Sequence, residues 1–170
     1  ERNTDYLKST VKRIVDSLRT TENILNSKFD LTSNLFSEEP YFITSQELLD
    51  IYPDLNSHER EDKICEEHGI VFIIGIGAPL SDGKPHDTRA ADYDDWSLNG
   101  DLLVWYPLLN RSVELSSMGI RVDEDALRRQ LLVSGSEYKS GMSFHKSLLS
   151  GELPLTIGGG IGQSRVCMVM

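Results

Sequence analysis

The chain has 170 residues, of which 39% are hydrophobic and 26% are charged, and its formal net charge is −10. This length allows one domain with a sizeable core, and the composition is that of a globular protein. The acidic balance disfavours a large nucleic-acid surface, because phosphate binding depends on clustered Lys and Arg. No apolar run is long enough to span a membrane.

The first part of the chain is predicted to be mostly helical. Apolar residues recur at helical spacing over 4–26, which predicts one amphipathic helix, and a loop is expected over 27–40. A short helix is expected over 45–52. Another helix is expected to begin at Ser57, whose hydroxyl can cap it, and to end before Gly69.

The middle of the chain has the pattern of strands. The apolar run "IVFIIGIG" (70–77) is rich in β-branched residues and closed by glycine, which predicts a buried strand. Residues 78–100 form a polar loop, and a loop this long in a compact domain usually has a function. Two strands, 101–109 and 112–122, are joined by a tight connection at 110–111 and predict an antiparallel hairpin.

The last part contains helices predicted over 124–132 and 143–149, followed by the glycine-rich stretch "TIGGGIGQSR" (156–165) and a final apolar helix or strand. Glycines leave backbone N–H groups accessible to an anion, and Arg165 could bind a phosphate or stack on a base. The spacing fits neither a dinucleotide fingerprint nor a Walker loop. The alternative is a sharp turn with a surface arginine.

Two acids interrupt the apolar sequence of the hairpin. Asp101 and Glu114 are expected at nearly equivalent depths on paired strands, and two acids on one face are costly unless they bind a cation or accept hydrogen bonds. Mg²⁺ that bridges nucleotide phosphates would satisfy both carboxylates. The alternative is that either acid faces solvent.

Arg121 follows Glu114 by an odd number of residues, which would place the two side chains on opposite faces of a straight strand. The small residues of "SSMG" (116–119) make a β-bulge plausible, and a bulge would return Arg121 to the face of Glu114. Arg121 could then bind a substrate carboxylate. Without a bulge, Arg121 is a surface residue.

The long polar loop contains His86, Asp87, Arg89, Asp92, Asp94 and Asp95. Acids beside an arginine could bind the amino group and the carboxylate of an amino acid. A metal hydrolase would need further histidines at useful spacing, which His58, His68 and His145 do not provide. The alternative is a solvated acidic loop.

The two cysteines, Cys65 and Cys167, have neither CxxC spacing nor a nearby histidine partner. They are expected to be reduced thiols on helices, which is typical of a cytoplasmic protein.

The segments "ELSSMGIRV" and "GGGIGQSR" together resemble the catalytic core of class II aminoacyl-tRNA synthetases, whose third motif ends in an arginine that contacts ATP. With "SQELLDIYPDL", "SDGKPHDTRAADYDDWS" and "LNGDLLVW", the chain resembles the ammonia-dependent asparagine synthetases of the A type over nearly its whole length. The resemblance implies an α+β fold in which helices flank an antiparallel sheet. It also implies a homodimer, a cytoplasmic location and no nucleic-acid or membrane partner.

The resemblance further implies that ATP adenylates the side-chain carboxylate of L-aspartate and that ammonia then displaces AMP, with Mg²⁺ at the phosphates. The residues it implies at ATP are Asp101, Glu114, Leu115, Ser116, Gly160 and Arg165. Those it implies at the aspartate are Asp94, Ser117, Arg121, Gly158 and Gly159. The implied catalytic residues are Arg89, Arg121 and Arg165, and the implied metal ligands are Asp101 and Glu114.

The chain departs from the family in two ways. Members are about twice as long and carry a second phosphate-binding arginine in their earlier half, so residues 1–170 are expected to be one catalytic domain from the C-terminal part of a longer chain. A segment is also expected to be missing between Ser97 and Leu98. The alternatives are a catalytic piece of an aspartyl- or asparaginyl-tRNA synthetase and a non-catalytic paralogue that senses an amino acid or a nucleotide.

Overall fold

A computed structural model describes residues 2–31 and 33–170 as six α-helices, one 3₁₀ turn and five strands. The helices are α1 (Thr4–Phe29), α2 (Ser45–Ile51), α3 (Ser57–His68), α4 (Glu124–Val133), α5 (Ser143–Leu149) and α6 (Gln163–Val169), and the 3₁₀ turn covers Glu137–Gly141. The strands are β1 (Tyr41–Thr44), β2 (Ile70–Ile74), β3 (Asp94–Tyr106), β4 (Arg111–Arg121) and β5 (Ile157–Ile161). None of the described helices is long and apolar enough to cross a membrane.

The five strands form one sheet in the order β1-β2-β3-β4-β5. All neighbours are antiparallel except β1 and β2, which are parallel. The parallel pair is possible because α2 and α3 lie between these strands in sequence and return the chain to the same end of the sheet. The predicted α+β class is therefore confirmed, with a mixed sheet in place of a fully antiparallel one.

Helices cover both faces of the sheet. On one face α1 contributes Leu7 and Val11 to a core that includes Phe72 of β2. On the other face Leu48 of α2 packs in a second cluster with Ile73 of β2. Because successive strand side chains point to opposite faces, β2 needs apolar residues throughout, which explains its unbroken hydrophobic run.

Capping fixes the ends of the predicted helices. Helix α1 runs to Phe29, slightly past its predicted end, and α3 begins at Ser57 as expected. The capping residue of α3 is Asn56 and not Ser57. The Asn56 side chain accepts from the Glu59 N–H, and the Glu59 carboxylate accepts from the Asn56 N–H. Gly69 ends α3 at a φ of 73°, which favours glycine.

The polar segment 78–100 is not entirely a loop, because β3 already begins at Asp94. Some of its polar side chains, among them Asp94, Asp95 and Asn99, are buried. The side chain of Asn99 donates to the Ile76 carbonyl and accepts from the Ile76 N–H, both at 2.8 Å. Pairing with β4 is irregular between Asp94 and Asn99. The missing segment between Ser97 and Leu98 remains a prediction.

The glycine run 158–160 is part of strand β5 and not of a loop, and the helix α6 follows it. Its backbone lies close to β4. A Cβ placed on Gly159 would come within 2.5 Å of the Met118 Cβ, so only glycine fits this pairing without a shift. The two cysteines are free thiols on helices, as expected: Cys65 is buried in α3 and Cys167 is exposed on α6.

Candidate functional site

The register of the hairpin places both acids on the face of the sheet opposite α1. Asp101 lies across from Ser117, and Glu114 lies across from Leu103, two residues further along β3. Residues directly opposite each other in antiparallel strands point to the same face. The two acids therefore share a face, although they are not direct partners.

A β-bulge makes this arrangement possible. The pairing shifts between Leu102 and Leu103, so that Leu115 of β4 is the extra residue. The bulge lies just before the predicted segment 116–119, but it has the expected effect: Glu114 and Arg121 share one face.

Arg121 and Asp94 are register partners, and their side chains form an ion pair. The guanidinium also lies 3.9 Å above the Tyr93 ring and donates to the Tyr93 hydroxyl at 2.9 Å. A Cβ on Gly158 would come within 2.5 Å of the Arg121 Nη2. Glycine in β5 therefore provides the space that the guanidinium occupies.

Arg89 and Asp101 form a second ion pair, which joins the long loop to β3. Two hydrogen bonds within the loop also orient Arg89: its Nη1 donates to the Asp87 carboxylate at 2.7 Å and to the Thr88 carbonyl at 2.9 Å. Asp101 is only 6% exposed, and its Oδ1 is buried without a hydrogen-bond partner among the described residues. A buried carboxylate oxygen of this kind can accept a ligand.

Arg165, in the first turn of α6, contacts the second acid of the hairpin. Its Nη1 donates to the Glu114 carbonyl at 3.0 Å and to the Glu114 Oε1 at 3.2 Å. The two residues border a cleft of about 410 Å³. Its other lining residues are His58, Glu61, Leu103, Leu109, Arg111, Ser112, Val113 and Met168.

Burial raises the pKa of each of the three carboxyls on this face above its ordinary value. The effect at Asp101 outweighs the opposing charge of Arg89. At Glu114, burial acts together with the negative charge of Asp101, against the contact with Arg165. At Asp94, burial likewise exceeds the effect of Arg121. The arginines therefore compensate the negative charge of these carboxylates only in part. A bound cation would stabilise the ionised carboxylates.

The residues fit Mg²⁺ that is bound together with phosphates. No group of three or more His, Cys, Asp or Glu side chains within residues 2–31 and 33–170 is arranged to hold a metal alone. Mg²⁺ usually takes one or two carboxylates and completes its shell with water and substrate phosphates. Asp101, with its unpartnered oxygen, and Glu114 could supply such carboxylates.

The side chains of Leu115 and Ser116 do not lie where a nucleotide was expected. Leu115 is 1% exposed and belongs to the core beneath α1, and Ser116 is opposite Leu102 of the same core. The bulge at Leu115 explains this placement. Only their backbones could face a ligand on the acidic side. The position of a Cβ on Gly160, by contrast, has no atom within 4 Å, so this part of β5 is open.

Two residues near the site were missed at the level of sequence. Tyr93 forms the surface against which Arg121 stacks, and Glu61 of α3 lines the cleft beside Glu114. Tyr93 lies within the acidic loop, where an aromatic residue beside two aspartates is a weak signal. Glu61 lies within the helix predicted to begin at Ser57, and nothing in the local pattern relates it to β3 or β4.

A profile of the aspartate-ammonia ligase family matches residues 1–170. The chain belongs to this family. The aspartate–ammonia ligase of Clostridium perfringens strain SM101 is 56% identical over 168 residues, which are 99% of this chain and 50% of that protein. The ligase of strain ATCC 13124 is 55% identical over the same length. The chain thus spans about half the length of the curated relatives it matches.

The fold of this chain is shared with class II aminoacyl-tRNA synthetases. The asparaginyl-tRNA synthetase from Pyrococcus horikoshii, complexed with asparaginyl-adenylate, superposes with a TM-score of 0.61 at 18% identity, over 97% of this chain and 41% of that chain. The aspartyl-tRNA synthetase from Entamoeba histolytica superposes with a TM-score of 0.58 at 16% identity, over 97% of this chain and 36% of that chain. These similarities confirm the fold expected from the resemblance.

Proposed function

We propose that the protein containing this chain makes L-asparagine from L-aspartate and ammonia, with ATP activation through β-aspartyl-adenylate and release of AMP and pyrophosphate. Membership of the aspartate–ammonia ligase family supports the overall reaction. The observation that carries the proposal is the presence of three guanidinium–carboxylate contacts on one side of the β3–β4–β5 sheet. By the same resemblance, we propose a cytoplasmic homodimer.

The Asp94–Arg121 pair suits the amino-acid substrate. Aspartate has an amino group and an α-carboxylate, and these charges can exchange with the two partners of the ion pair: the amino group with Asp94 and the carboxylate with Arg121. Ser117, opposite Asp101, would provide a hydroxyl nearer to the reacting side chain. Gly158 leaves the space that the Arg121 guanidinium occupies, whereas a side chain at Gly159 would point to the opposite face of the sheet, at Met118.

The adenylation step needs positive charge around the α-phosphate. One oxygen of the aspartate β-carboxylate attacks the α-phosphorus, the bond from that phosphorus to the bridging oxygen of the β-phosphate breaks, and pyrophosphate leaves. Negative charge grows on the α-phosphate in the transition state, where Arg89 and Arg165 would stabilise it. Mg²⁺ held by Asp101 and Glu114 would neutralise phosphate charge when bound.

The second step needs no covalent bond to the protein. The lone pair of ammonia attacks the β-carbonyl carbon, the bond from that carbon to the phosphate oxygen breaks, AMP leaves, and the new ammonium group loses a proton to form the amide. AMP is a far better leaving group than oxide. The residues on this face therefore need only orient the adenylate and neutralise AMP as it departs.

An isotope experiment tests the proposal on the protein expressed from its complete reading frame. With ATP, Mg²⁺, ammonium and aspartate labelled with ¹⁸O in the β-carboxylate, we expect AMP, pyrophosphate and asparagine in equal amounts. One ¹⁸O should appear in the phosphate of AMP, because the attacking carboxylate oxygen stays with AMP. Formation of ADP and phosphate, or AMP without label, would contradict the adenylate mechanism.

A further inference from the structure

His86 is a buried titratable group to which the proposed reaction gives no role. Its side chain is fully buried, and its Nε2 lies 2.9 Å from the Oε1 of Glu61. The contact joins the long loop to helix α3, across 25 residues of sequence. A buried histidine–carboxylate contact is costly to form unless the geometry is well satisfied, so its location needs a physical reason.

The His86 ring is the donor in this contact. Its Nδ1 is buried without a hydrogen-bond partner among the described residues. Because a carboxylate oxygen accepts, Nε2 carries the hydrogen and donates to Glu61. The contact is therefore one directed hydrogen bond from the loop to a carboxylate.

Glu61 connects this hydrogen bond to the site. Its carboxylate is 15% exposed and lines the cleft next to Glu114. Its second oxygen lies 3.1 Å from the Nδ1 of the exposed His58. The negative charge of Glu61 also contributes to the raised pKa of Asp101.

At the other end, His86 precedes Arg89 by three residues in the loop. A second buried anchor follows, because the Gln130 side chain donates to the Ala91 carbonyl at 3.0 Å. Arg89 therefore lies on a short arc that is fastened on each side, with its guanidinium at Asp101. The length of the arc leaves the backbone of Arg89 little freedom as long as both anchors hold.

We propose that His86 and Glu61 are positioning residues for Arg89: their buried hydrogen bond fixes the loop so that the Arg89 guanidinium stays at Asp101, beside the cleft. The proposal rests on the function proposed above, in which Arg89 stabilises phosphate charge. An arginine that must meet a short-lived charge gains from being held in place, since a displacement of about 1 Å can cost about a hundredfold in rate.

A double-mutant cycle on the complete protein tests this role. His86→Leu removes the donor at similar volume, and we expect it to lower kcat/KM for aspartate-dependent AMP formation by about tenfold or more. In an Arg89→Ala background the same change should cost less than about twofold, because residues that act through one another are not additive. His86→Gln can still donate to Glu61 and should retain most of the activity.

A structural readout keeps the test decisive if Arg89→Ala is too slow to measure. The Nε–H signal of Arg89 in an arginine-labelled NMR spectrum should shift or broaden in His86→Leu and return towards its native position in His86→Gln. The matched control is His145→Leu. His145 is equally buried and contacts Asp92 at 3.0 Å, so its loss should reduce stability but leave kcat/KM and the Arg89 signal nearly unchanged.

Equal losses from His86→Leu in both backgrounds, an unmoved Arg89 signal, or the same effects in His145→Leu would overturn the positioning role. Each of these outcomes presupposes that the native protein forms AMP. A native protein that forms no AMP would instead contradict the proposed function, so the two failures are distinguishable.

Discussion

Two aspartates of one loop-to-strand junction have opposite electrostatic environments. Burial raises the pKa of Asp94 above its ordinary value of 3.8, and the contact with Arg121 only partly offsets it. Burial alone would also raise the pKa of Asp92, but hydrogen bonds from His145 and Lys139 outweigh it and hold that pKa below 3.8. Of the two carboxyls, Asp94 therefore has the environment that a cationic amino group would improve.

The pH dependence of the free energy of unfolding should distinguish the environment of Asp94 from that of Asp92. The native state holds the Asp94 proton to higher pH than the unfolded chain does. This contribution to the free energy of unfolding is therefore complete below pH 3.8 and lost as pH rises through the native pKa. Asp94→Asn should remove this decline, so its stability relative to the native protein should improve with pH in the window above 3.8. The measurement is urea unfolding in steps between about pH 2 and pH 7.

Asp92→Asn is the control with the opposite sign. The native pKa of Asp92 lies below that of the unfolded chain, so its contribution is present above pH 3.8 and is lost as pH falls through the native value. The variant should therefore lose stability relative to the native protein as pH rises, within the window below 3.8. Parallel curves for the two variants would show that the two environments do not differ as described.

At the scale of elements, strand β5 is shaped by the side chain of its neighbour β4. Gly158 has an ordinary backbone conformation, so freedom of φ does not explain the glycine. The reason is space: an alanine Cβ there would lie 2.5 Å from the Arg121 Nη2 and 3.0 Å from its Cζ. The strand is therefore glycine-rich where the guanidinium rests on it.

Gly158→Ala should accordingly displace the Arg121 guanidinium from Asp94. We expect KM for aspartate to rise about tenfold or more, with a smaller change in KM for ATP, because the displaced group is the one proposed to bind the substrate carboxylate. Steady-state kinetics of the complete protein measure both constants. Gly141→Ala is the control, since its Cβ would meet no atom within 4 Å. A folded Gly158→Ala protein with a native KM for aspartate would contradict the role of Arg121.

The elements that were predictable from sequence are those whose signal is local. Helices α1 and α3 show apolar periodicity and end signals such as Gly69, and both were expected within a few residues. The start of β3 was not predictable from sequence, because Asp94 and Asn99 are polar residues whose partners lie far away in sequence. Strand β1 is short, and its pairing with β2 depends on a crossover that no local pattern specifies.

The candidate site shows the same division. The resemblance to a family indicated the residue types, and the hairpin indicated that Asp101 and Glu114 would share a face. The position of the bulge at Leu115 could not be predicted, because a bulge is fixed by the pairing of two strands and not by the sequence of one. For this reason the side chains of Leu115 and Ser116 face the α1 core, and their place at ATP remains a prediction. The contact of Glu61 with His86 joins distant segments and is likewise visible only in the fold.

At the scale of the whole molecule, the chain is acidic overall but carries a local group of arginines. The chain carries 27 acidic and 17 basic residues, which gives the net charge of −10, yet three arginines are gathered on one face of the sheet. Each of these arginines contacts a carboxylate. The face can therefore accept small anions by exchange of partners, while the acidic surface gives no support to a long polyanion.

This distribution predicts the behaviour of the complete protein towards tRNA and so separates it from the synthetases that share its fold. Tight tRNA binding requires several Lys or Arg contacts to phosphates and weakens steeply with salt, by about 10³-fold or more between 50 and 200 mM for six or more contacts. We expect no salt-sensitive retention of tRNA in a filter-binding assay. Retention as tight and as salt-dependent as that of an asparaginyl-tRNA synthetase measured alongside would instead favour a tRNA-linked role. In that case the guanidinium–carboxylate face would serve aminoacylation, since both reactions can begin from the same kind of activated carboxylate.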